Sequence, residues 1–205
     1  MGKKSVKKIK IRINLYLLVF IVSIISVSLA VYLIIKSFNF EYQKRFYYDY
    51  KGYLIQFRRP IDLSYKISIL PNEDSLSIST FLLSTGYYKN LTFIIFESDD
   101  NSATAIEALE IFYKVKRVLE FELNKYSEFN LVTNVEHIKY SVEELKLSNE
   151  TYYIFLRSYL ISNETYIKVH NVNFVEITGK NLEEFDLATI RFLISFLDNM
   201  KKIYK

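Results

Sequence analysis

The sequence predicts an α+β protein: an N-terminal transmembrane helix followed by an antiparallel sheet packed with two amphipathic helices. Three observations predict it. Residues 13–35 form an unbroken apolar run without a single charge. Short strand-like runs fill residues 52–97 and again 130–178, with turn residues between them. Residues 103–126 and 181–205 instead repeat apolar side chains every three or four positions, the period of a helix with one buried face.

The apolar run comes first. At about 1.5 Å per residue it reaches the roughly 30 Å of a bilayer core. It is too long for the core of a cleaved signal peptide, and it runs out in Leu33, Ile34, Ile35, Lys36, Ser37 and Phe38, which is a poor cleavage site. Retention as a single-pass anchor is therefore expected. Lys3, Lys4, Lys7, Lys8, Lys10 and Arg12 precede it, and basic residues beside a span stay on the cytoplasmic side. The expected organisation is a basic cytoplasmic tail over 1–12, the span over 13–35, a juxtamembrane stalk over 36–51 and an extracytoplasmic α+β domain over 52–205. Beyond the tail the chain carries 21 basic against 23 acidic residues, so the basic character belongs to the tail and its counterpart is the anionic leaflet. The domain lacks the basic face that a nucleic-acid partner requires.

The stalk is crowded with rings, among them Phe38, Phe40, Tyr42, Phe46, Tyr47, Tyr48 and Tyr50, which suits a membrane–water boundary. Strands are then expected over 53–57, ended by Arg58-Arg59-Pro60, over 65–69, ended by Pro71-Asn72-Glu73-Asp74, over 75–83, and over 91–96. Arg58-Arg59 reads first as a solvated strand end and secondly as a grip for an anionic headgroup. Asp99-Asp100-Asn101-Ser102 reads as loop and cap, with Thr104 and Glu107 in capping-box spacing at the start of a helix over 103–126. Ala108, Phe112, Val115, Leu119 and Leu123 line its inner face, leaving Glu107, Glu110, Lys114 and Lys116 to solvent. Strands return over 130–135, 137–142, 151–161, 165–169 and 173–178. Asn181 and Glu184 open a last helix whose inner face is Phe185, Ala188, Phe192, Phe196 and Met200. It ends in Lys201, Lys202 and Lys205, cations that suit a helix C-terminus.

Composition adds exclusions. There is no cysteine, hence no disulfide, thiol nucleophile or thiolate metal site. The four glycines are too dispersed for a phosphate-cradling loop, and no Gly-x-Ser-x-Gly elbow occurs. His137 and His170 are isolated from any ligand spacing; a shared site needs their strands to be neighbours, with Glu136 or Glu176 completing it. Of the carboxylates Asp99, Asp100, Glu143, Glu144, Glu183 and Glu184, those near helix starts are accounted for by the helix dipole. No catalytic, metal or cofactor residue is expected. Asn90, Asn149 and Asn163 each begin an Asn-x-Thr sequon, a glycan acceptor on an extracytoplasmic face.

Many Ile, Lys and Tyr with no Cys and few Gly resembles the membrane proteins of thermoacidophilic archaea or their viruses. The order of elements, closing on an amphipathic helix, resembles the PsbP/Mog1 type of fold. Neither resemblance carries a functional residue to this chain. The expected role is a non-catalytic binding or scaffold protein of the cell envelope, with the bilayer and an envelope protein, or a second copy, as partners. The competing readings are a membrane-tethered hydrolase or transferase with an acidic site, and a pilin-like filament or virion subunit.

Overall fold

The computed structural model describes residues 15–99, 101–125, 129–139 and 145–205. The tail 1–12, Asp100, residues 140–142, Glu143 and Glu144 lie outside these. The chain divides into two compact units, one ending at Lys44 and one spanning Arg45–Lys205.

The first unit is helix α1, Leu15–Lys44. Its window Phe20–Ser37 has a mean hydropathy of 2.2 and none of it is buried, so the helix is long and apolar enough to cross a membrane. Within the window the Ser26 hydroxyl donates to the Val22 carbonyl at 2.9 Å, which satisfies a polar group inside the helix itself.

The second unit begins with a hairpin. Strands β1 (Tyr47–Tyr50) and β2 (Tyr53–Gln56) pair antiparallel around Lys51-Gly52. Both turn residues have positive φ, 51° and 85°, the geometry of a two-residue turn that matches strand twist. A short helix α2 (Ile61–Ser64) and strand β3 (Ser68–Leu70) follow, then α3 (Glu73–Ser84), β4 (Asn90–Phe96), α4 (Asn101–Leu123), β5 (Val132–Ile138), β6 (Thr151–Arg157), β7 (Tyr166–Asn171), β8 (Phe174–Thr178) and α5 (Leu182–Ile203).

Six strands form one sheet in the order β3-β7-β8-β6-β4-β5. Its pairs are parallel except β7 with β8, so the expected antiparallel sheet is corrected to a mixed, mainly parallel one, beside the two-stranded antiparallel hairpin. The physical reason lies in the connections. β4 reaches β5 through the 23-residue α4, and a crossover of that length returns the chain in the same direction. Strands β4 and β6 are buried on both faces, which explains their continuous apolar sequences.

The second correction is α3. Residues 75–83 alternate like a strand but form a helix, because Asn72 caps it: its side chain accepts from Ser75 N–H, and Ser75 answers the Asn72 N–H in return. Leu76, Thr80 and Leu83 then fall on one buried face. A third concerns α4, which starts at Asn101, so Thr104 and Glu107 lie inside it rather than capping it, and both are fully buried. Two other expectations match. Asn181 accepts from Glu184 N–H to open α5, and Phe185, Ala188, Phe192, Phe196 and Met200 are all fully buried.

The helices cover one sheet face. Leu76 and Leu83 of α3, Ile111, Val115 and Leu119 of α4 and the apolar side of α5 share a core with Tyr152, Ile154, Val175 and Ile177 of the sheet. On the other face Ile94, Ile138, Tyr153, Phe155 and Phe174 form a smaller cluster, with Leu145 packed against it.

The β8–α5 connection is tight. A Cβ at Gly179 would fall on the backbone of Phe185, whereas one at Gly52 meets nothing. Gly179→Ala should therefore cost about 2–3 kcal/mol by overpacking, and Gly52→Ala only about 1 kcal/mol from its positive φ. Thermal unfolding followed by circular dichroism separates the two.

Candidate functional site

Four arrangements of polar residues were assembled by this fold, and three of them are closed upon themselves.

The first is around His170. His137 lies on β5 and His170 on β7, with β4, β6 and β8 between those strands, so no shared histidine site forms. His170 instead meets Glu176, one of the two carboxylates considered for it. Its Nε2 lies 2.7 Å from Glu176 Oε2, and its ring stacks on Phe174 at 4.8 Å. Arg157 Nη1 (2.7 Å) and the Tyr166 hydroxyl (3.2 Å) donate to the other oxygen. Glu176 is 4% exposed. Burial alone would push its carboxyl up, but the bonds from His170 and Arg157 outweigh that and hold it below the usual carboxylate range. A carboxylate-oriented imidazole can serve a general base, yet among the described residues no hydroxyl is hydrogen-bonded to this ring. Nor does any group of three His, Asp or Glu converge there as metal ligands.

The second is the link between Asp99 and Ser158. The sequence places Asp99 at a helix start, but it is buried and spans the carboxyl ends of β4 and β6. It accepts from the Ser158 backbone N–H at 2.9 Å and from its hydroxyl. The chain leaves β4 for β5 on one side and returns to β6 on the other, so this is the sheet's switch point, where open α/β sheets bind ligands. Here the crevice is bridged by the protein's own side chain. Glu183 and Glu184 sit in the first turn of α5 as expected, where Thr165 donates to Glu184.

The third involves Arg58 and Arg59, whose side chains are partly solvent-exposed, as a strand end would be, and also ion-paired with buried carboxylates. Arg58 bonds Glu107 and lies 3.2 Å from Asp186, and Arg59 Nε donates to Asp186 at 3.2 Å. Glu107, expected on the wet side of α4, is fully buried. Its Oε2 and Asp186 Oδ1 are buried oxygens that accept no hydrogen bond among the described residues, although the Arg58 guanidinium lies 3.2 Å from the latter. Burial, followed by the adjacent Asp186 carboxyl, pushes Glu107 up to about 8 against the pull of Arg58. Burial thus biases the Glu107 carboxyl toward its neutral form. The cluster ties the β2–α2 connection to α4 and α5.

The fourth is open. Glu122 of α4, 2% exposed, accepts from Tyr50 OH at 2.8 Å and from the ammonium groups of Lys51 and Lys125 at 2.7 Å each. The Tyr48 hydroxyl donates to Asp198 of α5 at 2.6 Å. These bonds clamp the hairpin on the helices and leave a groove of about 450 Å³ between β2 and α4. Tyr53, Leu54, Gln56, Tyr113, Arg117 and Phe121 line it. Leu54 and Tyr113 are 68% and 64% exposed, and Tyr53 meets Phe121 edge-to-face at 5.0 Å. Arg117 is exposed, and among the described residues it makes no ion pair. The sequence pattern marks residues 53–57 as a strand and does not single out Tyr113, Arg117 or Phe121. The available signal was the surplus of apolar positions on α4, where Leu109, Tyr113 and Phe121 fall outside the core stripe.

Of the sequon asparagines, Asn90 is half-buried at the start of the central strand β4, and Asn149 and Asn163 are exposed in turns. Comparison of the chain with known protein families, with characterised proteins and with solved structures finds no match.

Glu107 and Glu176 act on stability with opposite signs. Glu107, raised in the fold, contributes stability that is full below about pH 4.5 and is lost as pH rises toward about 8. Glu176, lowered in the fold, contributes stability present above about pH 4.5 and lost as pH falls below it. Chemical denaturation across pH 3–9 should show stability declining on both sides of a mildly acidic optimum. Glu107→Gln, which retains a donor for Asp186, should flatten the alkaline limb and leave the acid limb in place.

Proposed function

We propose that this chain is a single-pass, membrane-anchored, non-catalytic binding or scaffold protein of the cell envelope, with tail 1–12 in the cytoplasm and the α+β domain outside. The observation that carries the reading is the window Phe20–Ser37, with a mean hydropathy of 2.2 and none of it buried, in a chain whose second unit has a core of its own. Phe20, Ile25 and Val27 are each more than 60% exposed, and at about 25 cal/mol per Å² such surface is costly in water and favourable in hydrocarbon. The binding half of the reading is supported by the contrast among the polar clusters. The buried carboxylates Asp99 and Glu176 are held by Ser158 and by His170 and Arg157, those near Arg58 are ion-paired with it, and the hairpin–α4 groove is open. The partners are the bilayer and an envelope protein or a second copy; neither a cofactor nor a nucleic acid belongs to the proposal.

The absence of cysteine makes the topology directly testable. Ser5→Cys and Lys205→Cys are introduced singly, and intact cells are treated with a membrane-impermeant maleimide. Labelling of the Lys205→Cys chain in intact cells, and of Ser5→Cys only after permeabilisation, is the expected outcome. The reverse pattern would place the domain inside and overturn the reading. If the cell glycosylates sequons, Asn149 and Asn163 should carry glycan before Asn90, as read by mass spectrometry of the intact chain.

A further inference from the structure

We propose that the groove between β2 and α4 receives an extended acidic–apolar peptide segment of another protein, which adds to the free edge of β2 as a third strand. The proposal deepens the binding reading above and rests on it.

The first support is the backbone of the hairpin. With Tyr50 and Tyr53 flanking a two-residue turn, they form a pair that exchanges hydrogen bonds, and so does every second pair beyond. Phe57 N–H donating to the Phe46 carbonyl at 2.8 Å confirms that parity. The intervening residues of β2, Leu54 and Gln56, therefore turn their N–H and C=O groups away from β1. β2 pairs with β1 alone, so these groups form an unpaired strand edge among the described residues. Such an edge is a template for strand addition, in which main-chain bonds supply affinity and pockets for alternate side chains supply selectivity.

The second support is the opposite wall. Tyr113, Arg117 and Phe121 recur every four residues along α4, about 6 Å apart along the axis. Alternate side chains of an extended peptide project to one side at roughly 7 Å intervals. A peptide lying along β2 thus sets three successive inward side chains against a tyrosine, an arginine and a phenylalanine. Among the described residues Arg117, the cation at the centre between two aromatic surfaces, has no acidic partner. The complementary order is apolar, acidic, apolar. The Glu122 clamp on Tyr50 and Lys51 holds the edge in place before any peptide arrives, which lowers the ordering cost of binding.

The test uses the full chain in lipid nanodiscs and two fluorescein-labelled, end-capped peptides, TVTETVT and TVTKTVT, read by fluorescence anisotropy and by amide hydrogen exchange. The acidic peptide should bind about fivefold more tightly than the basic one, and Arg117→Glu should reverse that order. The Arg117 side chain is exposed and unpaired, so the variant keeps its fold, as an unchanged thermal melt would verify. Exchange at the Leu54 and Gln56 amides should slow when TVTETVT is bound. Equal binding of the two peptides, indifference to Arg117→Glu, or protection at other amides only would overturn the proposal. So would protection of Leu54 and Gln56 that grows with protein concentration in the absence of peptide, which would assign the edge to a second copy. Maleimide topology is read independently, so failure here leaves the anchoring reading standing, and failure there leaves the groove intact.

Discussion

Helix α5 is the constraint on which the rest of the domain depends. Helices α2, α3 and α4, strands β7 and β8 and the first strand of the hairpin all pack on it. Its buried positions run from Phe185 to Met200 and surround much of the helix rather than a single stripe. Helices α2, α3 and α4 meet through α5 more than through one another. The interface of α5 with α3 combines apolar packing with small polar groups. Thr80 bonds Ser195 at 2.9 Å, and Asn199 donates to the Ser77 carbonyl at 2.8 Å. Hydrogen bonds of this kind specify one register where apolar packing alone would tolerate several.

The buried carboxylates are accommodated by three different devices. Glu107 pairs with Arg58 while burial raises its carboxyl, Glu122 gathers two lysines and a tyrosine, and Glu176 draws an arginine, a histidine and a tyrosine. Each solution joins elements distant in sequence. A buried charge without such partners would cost several kcal/mol, so these clusters restrict how the hairpin and the sheet edge can sit on the helices. The groove adjoins that restriction: the clamp on Glu122 holds the hairpin turn against α4, and the groove lies beside it between β2 and α4.

Much of the fold was legible along the chain, and the failures have identifiable causes. The apolar helix, β4, β6 and the inner faces of α4 and α5 follow from periodicity, which is a property of consecutive residues. Residues 75–83 were misread because Ser and Thr alternate with Leu and Ile there, satisfying the period of a strand and of a helix together; the Asn72–Ser75 cap decides between them. The sheet was taken as antiparallel although a strand, a long helix and a strand in succession already imply a parallel crossover. Glu107 was assigned to solvent because its charge outweighed its position. It lies four residues before Ile111 and one before Ala108, on the buried side. Asp99 does precede the start of α4, but its carboxylate is held by Ser158, a partner far along the chain.

By itself the sequence determined the apolar helix, the near-neutral balance of the domain, the absence of thiol chemistry and the helical periods of α4 and α5. Those features reside in composition and in neighbours along the chain, where local physics suffices. Only the tertiary structure decided which strands lie side by side and in what direction, which carboxylates lose contact with water, and that β2 and α4 leave a groove with a free strand edge and an unpaired arginine. Those outcomes depend on residues tens of positions apart meeting in space. Tyr50 with Glu122, Arg58 with Glu107 and Asp99 with Ser158 are such meetings, and no local pattern encodes them.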